Sequence, residues 1–123
     1  MAALTAYAIA RFAFDDDGPS GIRGTVTIGC LDPTRCPTRT LSALQRVYRG
    51  SFYGPPPYPT EADVVATFRS SREGSFVLEL PPGHYTIDQM PNQALGGTLN
   101  RTDVDVRTSR FSKVQLFYVV PRG

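Results

Sequence analysis

Glu73-Gly-Ser-Phe-Val-Leu-Glu-Leu-Pro-Pro-Gly-His-Tyr-Thr-Ile-Asp88 is the stretch whose reading decides the fold. Phe76, Leu78 and Leu80 alternate with Val77 and Glu79, the period of a strand that buries one face. Pro81-Pro82-Gly83 then removes two amide donors and adds a residue that tolerates positive φ, so the strand must stop and turn. His84-Tyr-Thr-Ile-Asp88 restarts the alternation, with Tyr85 and Ile87 on one face. Arg72-Glu-Gly-Ser75 supplies the corner on the other side, so three strands are expected around two short turns.

The rest of the chain extends this pattern. Ile22-Arg-Gly-Thr-Val-Thr-Ile28 reads as a strand with Ile22, Gly24, Val26 and Ile28 inward. Further strands are expected over about 43–49, 64–70, 102–106 and 111–120, the last with Val114, Leu116 and Tyr118 toward the core. Phe117 and Val119 fall on its other face, which calls for a covering segment or an interaction surface. A length of 123 residues allows one domain with a real core, and 41% hydrophobic content excludes disorder by composition. Eleven Gly and eleven Pro are more than a helical protein carries. The expectation is therefore all-β: a single antiparallel β-sandwich of about seven to eight strands. One domain is expected over 1–123, with an N-terminal strand and turn over 1–19 and the core over 20–120.

Within residues 4–14, Leu4, Ala6, Ala8, Ala10, Phe12 and Phe14 would share one strand face, with Tyr7 and Ile9 opposite. An amphipathic helix competes there, because Ala and Leu favour it. As a strand, Leu4, Tyr7, Ile9, Phe12 and Phe14 are candidates for completing a neighbour's sheet by strand addition. The competing expectation is an extra edge strand on the same domain. Asp15-Asp-Asp-Gly-Pro19 lacks the alternating acids of a calcium loop and reads as a solvated turn.

Net charge is only +2, and twelve of the thirteen cations are Arg, spread along the chain. Segment 33–60 departs from this: it holds Arg35, Arg39, Arg46 and Arg49 and no acid. Arg46, Tyr48, Arg49, Phe52, Tyr53 and Tyr58 make it the candidate binding loop. A basic, aromatic loop suits a nucleic-acid strand in principle. The preferred reading is a solvated loop whose arginines meet carboxylates elsewhere, with no nucleic acid as partner. Gly54-Pro-Pro-Pro-Tyr-Pro59 cannot pair inside a sheet and suggests a rigid polyproline II segment.

Cys30 and Cys36 enclose five residues and either close a small disulfide loop in an exported protein or remain two free thiols in a cytosolic one. Two Cys and one distant His cannot make a four-ligand zinc site, so neither a metal nor a cofactor is expected. Asn100-Arg-Thr102 matches the N-glycosylation triplet. His84 is the single imidazole and reads as a turn residue, and Glu61, Glu73 and Glu79 sit at separate strand ends and turns. No base and orienting group are paired by spacing, so the expectation is that the chain is not an enzyme.

Gly21–Ile28, Val64–Ser70, Gly74–Ile87 and Val114-Gln-Leu-Phe-Tyr118 together resemble the carboxypeptidase regulatory-like domains, of transthyretin-like, Ig-like Greek-key sandwich fold. The likeness spans about residues 21–120, and Leu80-Pro-Pro-Gly-His-Tyr85 is its most specific part. It is similar in particular to versions in secreted or lipid-anchored bacterial proteins, where a Cys-containing loop follows the first strand. The strand over 4–14 and the insertion over 50–60 depart from that pattern. Tyr48-Arg-Gly-Ser51 spells the tetrapeptide that closes hydroxyisourate hydrolases of the same fold, but here it is mid-chain and lacks that family's histidines. The resemblance implies a non-catalytic, extracytoplasmic accessory module whose partner is another protein or a second copy. Met1–Ala10 lacks the basic n-region of a signal peptide, so the signal of such a module is expected to be missing from this sequence. No uncharged apolar run approaches the roughly 20 residues of a membrane span.

Overall fold

The computed structural model describes residues 7–9, as backbone alone, and 18–121. Its ten strands are β1 (Tyr7–Ile9), β2 (Gly21–Gly29), β3 (Arg39–Thr40), β4 (Leu44–Arg49), β5 (Val64–Arg69), β6 (Ser75–Glu79), β7 (Gly83–Gln89), β8 (Thr98–Leu99), β9 (Thr102–Val106) and β10 (Phe111–Val119). A single 3-10 turn at Glu61–Asp63 is capped by Thr60, whose side chain accepts from the Ala62 amide. One sheet runs β1-β6-β2-β10-β8, with β3 attached to β2, and the other runs β5-β4-β7-β9. Together they form a β-sandwich.

Both corners of the 73–88 stretch cross from one sheet to the other, since β5 and β7 lie in one and β6 between them in the other. Neither corner is a hairpin. At the first, Gly74 takes φ +81° and its carbonyl accepts from the Val26 amide at 2.6 Å. A Cβ there would press on the Val26 carbonyl oxygen, so the corner requires glycine for both conformation and space. At the second, the Tyr85 hydroxyl donates back to the Pro81 carbonyl at 2.6 Å and ties the turn to the strand it starts.

The core lies between the sheets. Ile22, Val26, Ile28, Phe76, Leu78, Val114, Leu116 and Tyr118 fill it from one side, and Val47, Phe68, Tyr85 and Ile87 from the other. The alternation read along β2, β6 and β10 thus corresponds to real burial. Gln45, fully buried on β4, breaks the apolar pattern. Its Nε2 donates across the sandwich to the Tyr118 hydroxyl at 3.0 Å.

The expected, predominantly antiparallel β-sandwich is what the structure shows, with two differences of detail. There are ten strands among the described residues, because β1, β3 and β8 have only three, two and two residues and carry no readable alternation. The pairing is also mixed: β2 and β10 run parallel in unbroken register from Gly21↔Phe111 to Gly29↔Val119, and β1 runs parallel to β6. Gly24 permits the first of these approaches, since a Cβ there would overlap the Val114 carbonyl oxygen.

Candidate functional site

The candidate loop folds back over the outer face of the β5-β4-β7-β9 sheet. A register shift between Val47 and Tyr48 on β4 precedes it. Tyr48 is buried at 5% exposure, outside the main core, with Phe52 edge-on to it at 5.1 Å between ring centroids. Arg46 stands over the Tyr48 ring at 5.3 Å and Arg101 over the Phe52 ring at 4.0 Å. The result is a stack of cation, ring, ring and cation. Burial pushes the Tyr48 phenol above its ordinary value of 10, against the opposing pull of Arg46.

Both cations of the stack are already paired. Arg46 holds Glu61 through two contacts, at 3.1 and 3.0 Å, and Arg101 Nε donates to Asp88 at 3.1 Å. The Arg46 Nε is buried without a hydrogen-bond partner among the described residues. Tyr53 joins the edge of the stack by donating its hydroxyl to the Arg101 carbonyl at 2.9 Å, yet its residue surface is 59% exposed. Arg49 and Tyr58 instead line a shallow groove of about 310 Å³ with Pro57, Pro59 and Asp63. The chain bends repeatedly over 52–56, with a cis Pro56–Pro57 peptide, where an extended polyproline segment was expected.

A second cluster lies where β7 meets β9. Thr102-Asp-Val-Asp-Val106 puts Asp103 and Asp105 on one face, and β7 aligns His84 with Asp105 in register. His84 Nδ1 lies 2.5 Å from Asp105 Oδ1, and Nε2 lies 3.2 Å from Asp103 Oδ2. Asp103 also accepts from Ser51 Oγ at 2.7 Å and Thr86 Oγ1 at 2.9 Å, which anchors the start of the loop. A neutral imidazole donates from one nitrogen only, so this arrangement favours the doubly protonated ring. The Asp105 hydrogen bond raises His84 above its ordinary 6.5; burial opposes this and Asp103 adds to it. For Asp103, burial pushes upward, but donation from Ser51, Thr86 and His84 prevails and holds it below 3.8. His84 is therefore a residue of strand β7 held between carboxylates, a correction to its reading as a turn residue. Ser51 donates to the aspartate, not to the imidazole that would have to activate it as a nucleophile.

Tyr7 and Ile9 lie on β1, which pairs in parallel with β6, while Leu4, Phe12 and Phe14 lie outside the described residues. Cys30 and Cys36 are joined as a disulfide, with Cα atoms 5.5 Å apart. Asn100 of the glycosylation triplet is exposed between β8 and β9. Among the described residues, no group of three or more His, Cys, Asp or Glu could hold a metal ion. No described helix is long and apolar enough to cross a membrane.

Arg46, Tyr48 and Phe52 are brought together as one unit, and Tyr53 touches it. Arg101, Asp88, Glu61, Asp103 and Asp105 are the functional-looking partners that sequence reasoning missed. The alternation of Asp103 and Asp105 was a usable signal for one of these clusters. The partners of the arginines required the fold.

No family model matches the chain, and no curated protein matches it. Among solved structures it is similar to GBS52, the minor pilin in the gram-positive pathogen Streptococcus agalactiae, with a TM-score of 0.58 at 13% identity. The match covers 85% of this chain and 45% of the pilin, so the chain spans less than half the length of that protein. At this identity the likeness concerns the fold, a β-sandwich.

Proposed function

We propose that this chain is a non-catalytic, extracytoplasmic β-sandwich subunit of a surface assembly, built by strand addition at the β6 edge. The observation that carries this reading is the strand Tyr7–Ile9, laid in parallel on β6 at the outside of its sheet. An edge strand can come from the same chain or from a neighbour with the same backbone hydrogen bonds. The fold likeness to a minor pilin supports the reading, and the Cys30–Cys36 disulfide supports an oxidising compartment. The domain proposed spans 1–123, with Leu4, Tyr7, Ile9, Phe12 and Phe14 as its assembly strand. Within β-sandwiches, the Leu80-Pro-Pro-Gly-His-Tyr85 corner favours the carboxypeptidase regulatory-like kind.

The test is light scattering with size-exclusion chromatography and negative-stain microscopy, on the full chain and on a version starting at Ser20. The full chain is expected to form concentration-dependent oligomers that the shorter version does not. A synthetic peptide of residues 1–14 is expected to bind the shorter version. Monomers throughout, or equal assembly by both versions, would overturn the proposal. A second reading, an accessory module that binds through Arg46, Tyr48, Arg49, Phe52, Tyr53 and Tyr58, is favoured by one observation. Tyr53 and Tyr58 are 59% and 47% exposed, and exposed aromatic rings serve as contact anchors.

A further inference from the structure

At the end of the sandwich where β2 and β10 finish, a cavity of about 610 Å³ opens beside the disulfide. Its size lies within the roughly 300–1,000 Å³ typical of small-molecule sites. Ile28, Val120, Pro37 and the two cysteines give it apolar walls, and Arg35 and Arg39 are its charged lining. Neither guanidinium has a partner among the described residues, unlike Arg46 and Arg101, which hold Glu61 and Asp88. No acid among the described residues lines the cavity. Asp32, the acid nearest in sequence, spends Oδ1 on the Thr34 amide at 3.0 Å and the Thr34 hydroxyl at 2.7 Å.

Both arginines are carried on fixed backbone. Arg39 is registered against Ile28 by the β2–β3 pairing. Arg35 closes a turn through its amide to the Asp32 carbonyl at 3.0 Å, and the disulfide returns that turn to the end of β2. Two unpaired cations on ordered backbone, over an apolar floor, match a ligand with a negative head and a hydrocarbon body. We propose that this cavity binds a small organic anion, a carboxylate on a short apolar chain, and that the disulfide serves to hold Arg35 at its mouth. The site is separate from the β6 edge and stands whether or not the chain assembles.

The experiment is an amide NMR titration of the oxidised protein with sodium octanoate, with acetate and 1-octanol as separate arms. Octanoate is expected to give saturable shifts at Ile28, Cys30 to Arg39 and Val120, with acetate and octanol at least about tenfold weaker, since each lacks one half of the match. The double variant R35Q/R39Q replaces exposed side chains and is expected to keep the wild-type spectrum elsewhere while weakening octanoate about tenfold or more. Absence of saturable octanoate shifts, octanol binding as tight as octanoate, or unchanged affinity in R35Q/R39Q would each overturn the proposal. Reduction with dithiothreitol is expected to weaken octanoate by freeing the loop that carries Arg35. Unchanged affinity after reduction would overturn the disulfide's part in it.

Discussion

Tyr118 and Gln45 offer the sharpest test of how the two sheets are held together. Both side chains are 0% exposed, and the single bond between them, Gln45 Nε2 to the Tyr118 hydroxyl at 3.0 Å, crosses the centre of the sandwich. Gln45 Oε1 has no hydrogen-bond partner among the described residues. Tyr118→Phe keeps the ring and removes the acceptor, so the Gln45 amide becomes wholly unsatisfied. A buried polar group left without its partner costs about 1–3 kcal/mol. Gln45→Leu strands the tyrosine hydroxyl but also removes the orphaned Oε1, so its cost should be smaller, about 1 kcal/mol. Changing both leaves an apolar pair of similar shape, expected within about 1 kcal/mol of the wild type. The coupling energy of the cycle is then about 2 kcal/mol, well above the roughly 0.5 kcal/mol expected for independent sites. Urea denaturation of the four proteins, with the disulfide intact, measures it. A double variant whose loss equals the sum of the single losses would refute the reasoning, as would a Tyr118→Phe protein as stable as the wild type.

Two further outcomes are expected. Since Asp105 and Asp103 raise His84 above 6.5, its stabilisation is complete below that pH and is lost as pH rises through the higher folded value, while the share from Asp103, held below 3.8, is lost only in acid. Melting temperature should therefore fall between pH 6 and pH 8 more in the wild type than in His84→Gln, and parallel curves would count against the pairing. Gly24→Ala should destabilise by about 3 kcal/mol, the upper end for overpacking, because the group in the way is the Val114 backbone carbonyl and no side-chain rotation relieves it. Gly96→Ala, with nothing within 4 Å but a φ of +78°, should lose only about 1 kcal/mol, and urea midpoints in the reverse order would contradict this account.

Much of the fold was legible because sandwich strands advertise their buried face every second residue. Ile22, Val26 and Ile28, Phe76, Leu78 and Leu80, and Val114, Leu116 and Tyr118 all follow that rule and are all buried. What periodicity does not encode is partnership. Nothing local to Gly21–Gly29 states that its neighbour is Phe111–Val119, in parallel, because that choice is made by sterics across the whole chain. Gln45 and Thr86 are fully buried polar residues, and their burial depends on partners remote in sequence, Tyr118 for one and the Gly50 carbonyl and Asp103 for the other. The same division holds at the site. Arg46, Tyr48 and Phe52 meet because they are close along the chain, whereas Arg101 reaches Phe52 only through the β7–β9 pairing.

The parallel ladder between β2 and β10 has a mechanical consequence. Tension entering the chain ahead of Gly21 and leaving it beyond Val119 pulls two side-by-side strands in opposite directions along their own length. Every bond from Gly21↔Phe111 to Gly29↔Val119 is then loaded at once, in shear, instead of being opened one after another from an end. Rupture under such a load is governed by the unfolding rate, which a simultaneous nine-residue break keeps low. Under that load the β2–β10 ladder would be the clamp, and the three-residue pairing of β1 with β6 would be the weaker link.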